Sequence, residues 1–119
     1  MIVDYRHTVE RAFCFLFQEH GFVFTSTQLE ELQGVVIAQQ GTLRLRFVWD
    51  RADFFVDIGS NKEAGKWVEL FRVLDELRAQ RLLHEEYKHS NKLNVVRSLL
   101  RKHIGLLKSY AASEVTVTP

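Results

Sequence analysis

The stretch LRLRFVWDRADFFVDIGS, Leu43 to Ser60, alternates apolar and charged residues, breaks at Asp50-Arg51-Ala52-Asp53, and alternates again. A period of two is the signature of a half-buried strand, since successive side chains point to opposite faces of the sheet. Leu43, Leu45, Phe47 and Trp49 therefore share one face, and Arg44, Arg46 and Val48 the other. On the returning strand Phe54, Val56 and Ile58 form the apolar row, with Phe55 and Asp57 opposite. The short break predicts an antiparallel hairpin. An antiparallel sheet with one apolar face needs a layer of helices to cover that face, which predicts an α+β fold.

The flanking segments supply the rest of the pattern. Upstream, Gly41 marks a turn out of a strand over VVIAQQ (35–40), and LEELQG (29–34) connects it to a strand over FVFTSTQ (22–28). Before that, Tyr5, Val9, Ala12, Phe13, Leu16 and Phe17 recur at helical spacing, so one helix is expected from an Asp4 cap to a stop at Gly21. Downstream, KWVELFRVLDELRAQRLL (66–83) places Trp67, Leu70, Phe71, Leu74, Leu77 and Leu82 on one stripe, predicting a helix that faces the sheet. The polar run HEEYKHSN (84–91) ends it. A third helix follows, capped by Ser90 or Asn91, with Leu93, Val96, Leu99, Leu100, Ile104 and Leu107 as its apolar stripe. The tail SEVTVTP (113–119) either adds a short edge strand through Val115 and Val117 or frays. The expected order is one helix, a four-stranded antiparallel meander and two C-terminal helices.

Composition narrows the class of function. The chain has 119 residues, 46% of them hydrophobic and 26% charged, with one proline and no low-complexity run. That is the make-up of one compact α+β domain over residues 1–119. The formal net charge is +1, too small for whole-molecule steering toward polyanions, so any basic function has to be local. A single cysteine, Cys14, rules out an internal disulfide and suits a reducing compartment. With no secretory signal and no apolar run of membrane-spanning length, a cytoplasmic protein without membrane contact is expected.

Catalytic and cofactor signatures are missing. There is no phosphate-binding loop, dinucleotide fingerprint or nucleophile elbow, so no catalytic residue and no cofactor is assigned. Cys14, between Phe13 and Phe15, reads as a small packing residue rather than a nucleophile. His84 and His89 in HEEYKH stand five apart, about 140° around a helix, instead of the one-turn spacing of a zinc helix. No metal site is expected.

Two basic surfaces remain. Arg44, Arg46 and Phe55 lie on the outward face of the hairpin, where the arginines can pair across strands with Asp57 or stack on Phe55. Covered by the third helix or the tail, Phe55 would be structural; left open, it would be an interface anchor. The other surface is the third helix: Lys88, Lys92, Arg97, Arg101, Lys102 and Lys108 occur between residues 88 and 112 without an Asp or Glu, and Arg97, Arg101 and Lys108 share a face. Acidic turns with Glu30, Glu31, Asp50 and Asp53 offer a surface of opposite sign.

A helix ending in Gly21-Phe22, the hairpin Leu43–Ser60 and the W-x-x-L of Trp67–Leu70 together resemble a group of short stand-alone bacterial α+β proteins of unknown function. In size and style the chain is also similar to immunity proteins, which bind a cognate toxin and block it. That resemblance implies a non-enzymatic protein-binding module with a toxin as partner. A small nucleic-acid-associated protein using the basic third helix is the alternative.

Overall fold

The computed structural model describes residues 5–29, 33–50, 53–63, 65–77 and 92–113. Helices α1 (Tyr5–Ala12) and α2 (Cys14–Glu19) precede strands β1 (Val23–Leu29), β2 (Gln33–Gln40), β3 (Leu43–Asp50), β4 (Asp53–Ser60) and β5 (Trp67–Glu69). Helices α3 (Leu70–Glu76) and α4 (Lys92–Ala112) follow. The strands form one antiparallel sheet in the order β1-β2-β3-β4-β5, each paired with its neighbour in sequence. The α+β class and the meander are as the alternation predicts.

The hairpin register runs from Leu43 opposite Ser60 to Asp50 opposite Asp53 without interruption. Leu45, Phe47, Val56 and Ile58 are at most 1% exposed, so the apolar row is the core face. Phe13 stacks on Phe47 with ring centroids 4.9 Å apart, which sets the N-terminal helices on that face. Ser60 Oγ donates to the Ala111 carbonyl at 3.0 Å, placing the end of α4 there too. Val9, Leu16, Leu70, Leu74, Val96, Leu100 and Leu107 join the same apolar cluster, so buried residues of all four helices share one core with the sheet. At the sheet's far corner Tyr5 packs directly on the backbone of Gly34 and stacks on Trp49 at 4.8 Å.

Three expectations are corrected. The single N-terminal helix is broken at Phe13, whose φ of −119° and ψ of 34° are not helical. Residues two apart on a helix differ by about 200°, so Phe13 and Phe15 cannot both face the core from one continuous helix. The break lets Phe13, Phe15 and Leu16 all be buried and turns Cys14 out, exposed rather than packed. In β1 the register shifts between Phe24 and Ser26, a bulge at Thr25 that plain alternation does not foresee.

The third correction is a fifth strand. The helix expected from Lys66 begins only at Leu70, because Trp67, Val68 and Glu69 extend along β4 opposite Gly59, Ile58 and Asp57. Val68 enters the core at 2% exposure, and Trp67 therefore points to the other face of the sheet instead of packing on Leu43 or Ile58. Leu70 and Leu74 are fully buried as expected. The remainder of that helix with Leu82, the HEEYKH run, the Ser90 and Asn91 caps and the tail strand lie outside the described residues.

Candidate functional site

The face of the sheet opposite the described helices carries three rows that follow from the register. Val35, Val48 and Phe55 are neighbours on β2, β3 and β4; Ile37, Arg46, Asp57 and Glu69 form the next row; Gln39, Arg44, Gly59 and Trp67 form the third. An apolar strip thus lies beside a cluster of charge around one indole.

The cluster is tightly organised. Nε and Nη2 of Arg46 both donate to Oδ2 of Asp57, at 3.0 and 2.7 Å, and the Asp57 side chain is only 9% exposed. The Arg46 guanidinium also stands 4.5 Å from the Trp67 ring centre, and that of Arg44 stands 4.7 Å from it. Trp67 can lie there because Gly59 has no side chain. Each cation–π contact contributes about 0.5–1 kcal/mol at a partly exposed site, and the ion pair fixes Arg46 further. Asp57 and Glu69 are directly opposed like charges, a destabilising pairing that the Arg46 contact offsets.

The expected cross-strand pairing of Arg46 with Asp57 is therefore present, whereas Arg44 lies opposite Gly59 and stacks on Trp67 rather than on Phe55. Phe55 is half-buried on this face, opposite Val48. Helix α4 does not cover it, since α4 packs on the other side of the sheet. Trp67 is the residue that sequence reasoning missed. Its signal was Gly59, a lone glycine in a strand pattern, which marks a place where another group approaches the backbone closely.

The second expected surface is also assembled, along the flank of α4 that meets α1 and α2. Leu93 of α4 lies in a shallow cleft with Thr8, Arg11 and Ala12 of α1. Farther along, Arg101 stands 4.5 Å over the Phe15 ring, and Lys108 Nζ lies 3.2 Å from His20 Nδ1. Arg97 donates through Nη2 to Asn94 Oδ1 at 2.9 Å. Arg101 and Lys108 thus line the seam with α2, and Arg97 stands on the same face of α4 by its helical spacing.

At the end of the sheet, a cleft of about 240 Å³ opens between the β4–β5 turn and the last turn of α4. Its walls are structural: Ser60 and Lys62 donate to the carbonyls of Ala111 and Ala112 at 3.0 and 2.7 Å, completing a helix end that has no intrahelical donors left. Burial, and then the Glu63 carboxylate, push the Tyr110 phenol of this cleft above its usual 10.0.

Of the acidic turn residues, Asp53 is exposed and accepts the Phe54 amide at 3.0 Å, and Asp50 is half-buried; Glu30 and Glu31 lie outside the described residues. Among the described residues no group of three His, Cys, Asp or Glu could hold a metal ion. No helix among them is long and apolar enough to cross a membrane. No family model, no curated protein and no solved structure matches this chain.

Proposed function

We propose that this protein is a non-enzymatic binding module that docks another protein on its outer sheet face, in the manner of an immunity protein occluding its cognate toxin. The observation that carries this reading is the Trp67 indole held between Gly59 and the guanidiniums of Arg44 and Arg46, beside Val48 and Phe55. Tryptophan and arginine are the residue types that most often anchor interfaces, and anchors already fixed in place lose little conformational entropy on binding.

Charge defines the kind of partner. Arg44 and Arg46 are balanced on this face by Asp57 and Glu69, so the face suits a protein surface with an apolar centre and a rim of mixed charge rather than a polyanion.

The test is affinity capture of the full chain from its native cells, followed by measurement of the affinity for each protein retained in moderate salt. Trp67→Ala and Phe55→Ala should each weaken the complex at least tenfold without loss of fold, as anchor residues do. Retained proteins that bind both variants as tightly as the parent would overturn the assignment.

A further inference from the structure

The seam between α2 and α4 is a second surface of different chemistry. Helix α4 carries Lys92, Arg97, Arg101, Lys102 and Lys108 over its 21 residues and no carboxylate. Among the described residues, three of these cations are held in place by uncharged groups rather than carboxylates: Arg97 by an amide oxygen, Arg101 by the Phe15 ring and Lys108 by the His20 imidazole. This is the reverse of the outer sheet face, where Arg46 is spent on Asp57. From Arg97 to Lys108 the cations span about 16 Å at the helical rise of 1.5 Å per residue. Arg11 of α1, beside Leu93, stands at the start of the same seam.

We infer that the α2–α4 seam binds the phosphodiester backbone of a nucleic acid, through Arg97, Arg101 and Lys108 and without reading sequence. A linear polyanion matches a row of preset, uncompensated cations, because each phosphate contact releases condensed counterions. The exposed stripe of α4 beside the row consists of Asn94, Ser98, Gly105 and Ser109. These small uncharged residues let a backbone approach closely, and the large apolar side chain that α4 does expose, Leu106, lies five residues from Arg101 and so about 140° around the helix, away from the row, so nucleic acid is favoured over an anionic membrane. No base-reading device is part of the seam, which makes the expected affinity that of non-specific binding, with Kd of about 10⁻⁴–10⁻⁶ M.

The experiment titrates the full chain into a fluorescein-labelled oligonucleotide, single-stranded and duplex in separate arms, and follows anisotropy. Three neutralised phosphates predict a loss of about 20- to 40-fold in affinity between 50 and 200 mM salt. Arg97→Gln/Arg101→Gln/Lys108→Gln should abolish binding and its salt dependence, with circular dichroism unchanged, while Arg72→Gln, at an exposed position of α3, should bind like the parent. If the triple variant does not fold, Arg97→Gln alone decides, since its hydrogen-bond partner Asn94 lies on its own helix; it should lower the slope of log K against log salt by about 0.7–0.9. The proposal is overturned if neither oligonucleotide binds at 50 mM salt, or if the triple variant binds undiminished. It is also overturned if vesicles of phosphatidylcholine and phosphatidylserine bind and the oligonucleotides do not. None of these outcomes depends on what the outer sheet face binds.

Discussion

The Trp67 ring covers Gly59 so closely that a Cβ at that glycine would stand 2.8 Å from Cε3 and Cζ3 of the indole and 3.2 Å from the Lys66 carbonyl. Gly59 has no left-handed φ, so the glycine is required for space and not for conformation.

Gly59→Ala should therefore displace the indole from both guanidiniums and loosen β5, at a cost of about 1–3 kcal/mol, the range for forced overpacking. Urea unfolding measures the cost. Tryptophan emission in a Trp49→Phe background reports the ring, and an unshifted spectrum with unchanged stability would mean that Trp67 does not rest on Gly59.

Arg46→Met should destabilise more than Asp57→Asn. The first takes the guanidinium away from a nearly buried carboxylate that faces Glu69, whereas the second replaces that carboxylate by an amide of the same shape. A loss of about 1.5–3 kcal/mol is expected for Arg46→Met, the worth of hydrogen bonds to a charged group. A double-mutant cycle should return a favourable coupling between the two sites, and additive losses would show that they act independently.

Leu70 opens α3 and is fully buried in the common core. Leu70→Ala should cost about 2–5 kcal/mol, as cavity-forming truncations do. A cost within about 0.5 kcal/mol, the range of surface substitutions, would place the residue outside the core.

Stability should fall on mild acidification because of His103. Burial first, and the neighbouring Lys102 ammonium second, hold its imidazole below the usual 6.5, a value the unfolded chain recovers. The unfolded state then binds more protons than the folded one between the two values. The contribution is whole above 6.5 and is lost as pH drops toward the folded-state value. Denaturant midpoints at pH 7.5 and 5.5, compared between the parent and His103→Gln, isolate this residue; equal pH dependence in both would assign the effect elsewhere.

How much of this was legible in the chain differs from element to element. Alternation through Leu43–Ser60 separates the two faces of the hairpin but leaves Asp57 and Phe55 both open as partners of the arginines; the register that sets Arg46 opposite Asp57 comes from the pairing of Asp50 with Asp53. Trp67 was misplaced because three residues of strand are too few to show a period of two, while 67, 70, 71 and 74 also fit a helical stripe. Arg97, Arg101 and Lys108 could be put on one face from spacing. Their neighbours could not, since Phe15 and His20 reach them through helix packing that no local pattern encodes. The break at Phe13 was hidden for the same reason: which phenylalanines face inward is decided by Phe47 and Phe54, far along the chain.

The bonds from Ser60 and Lys62 to the last carbonyls of α4 bear on the order in which the chain acquires its structure. Every strand pairs with its neighbour in sequence, so the sheet can assemble by short loop closures, which are fast. Helix α4 is attached by links across 51, 50 and 88 residues, at Ser60–Ala111, Lys62–Ala112 and His20–Lys108. Such long closures are slower than the short ones that assemble the sheet, so the docking of α4 follows the pairing of the strands. Substitutions at Ser60 or Lys62 will therefore act on how fast α4 lets go of the sheet more than on how fast the sheet assembles.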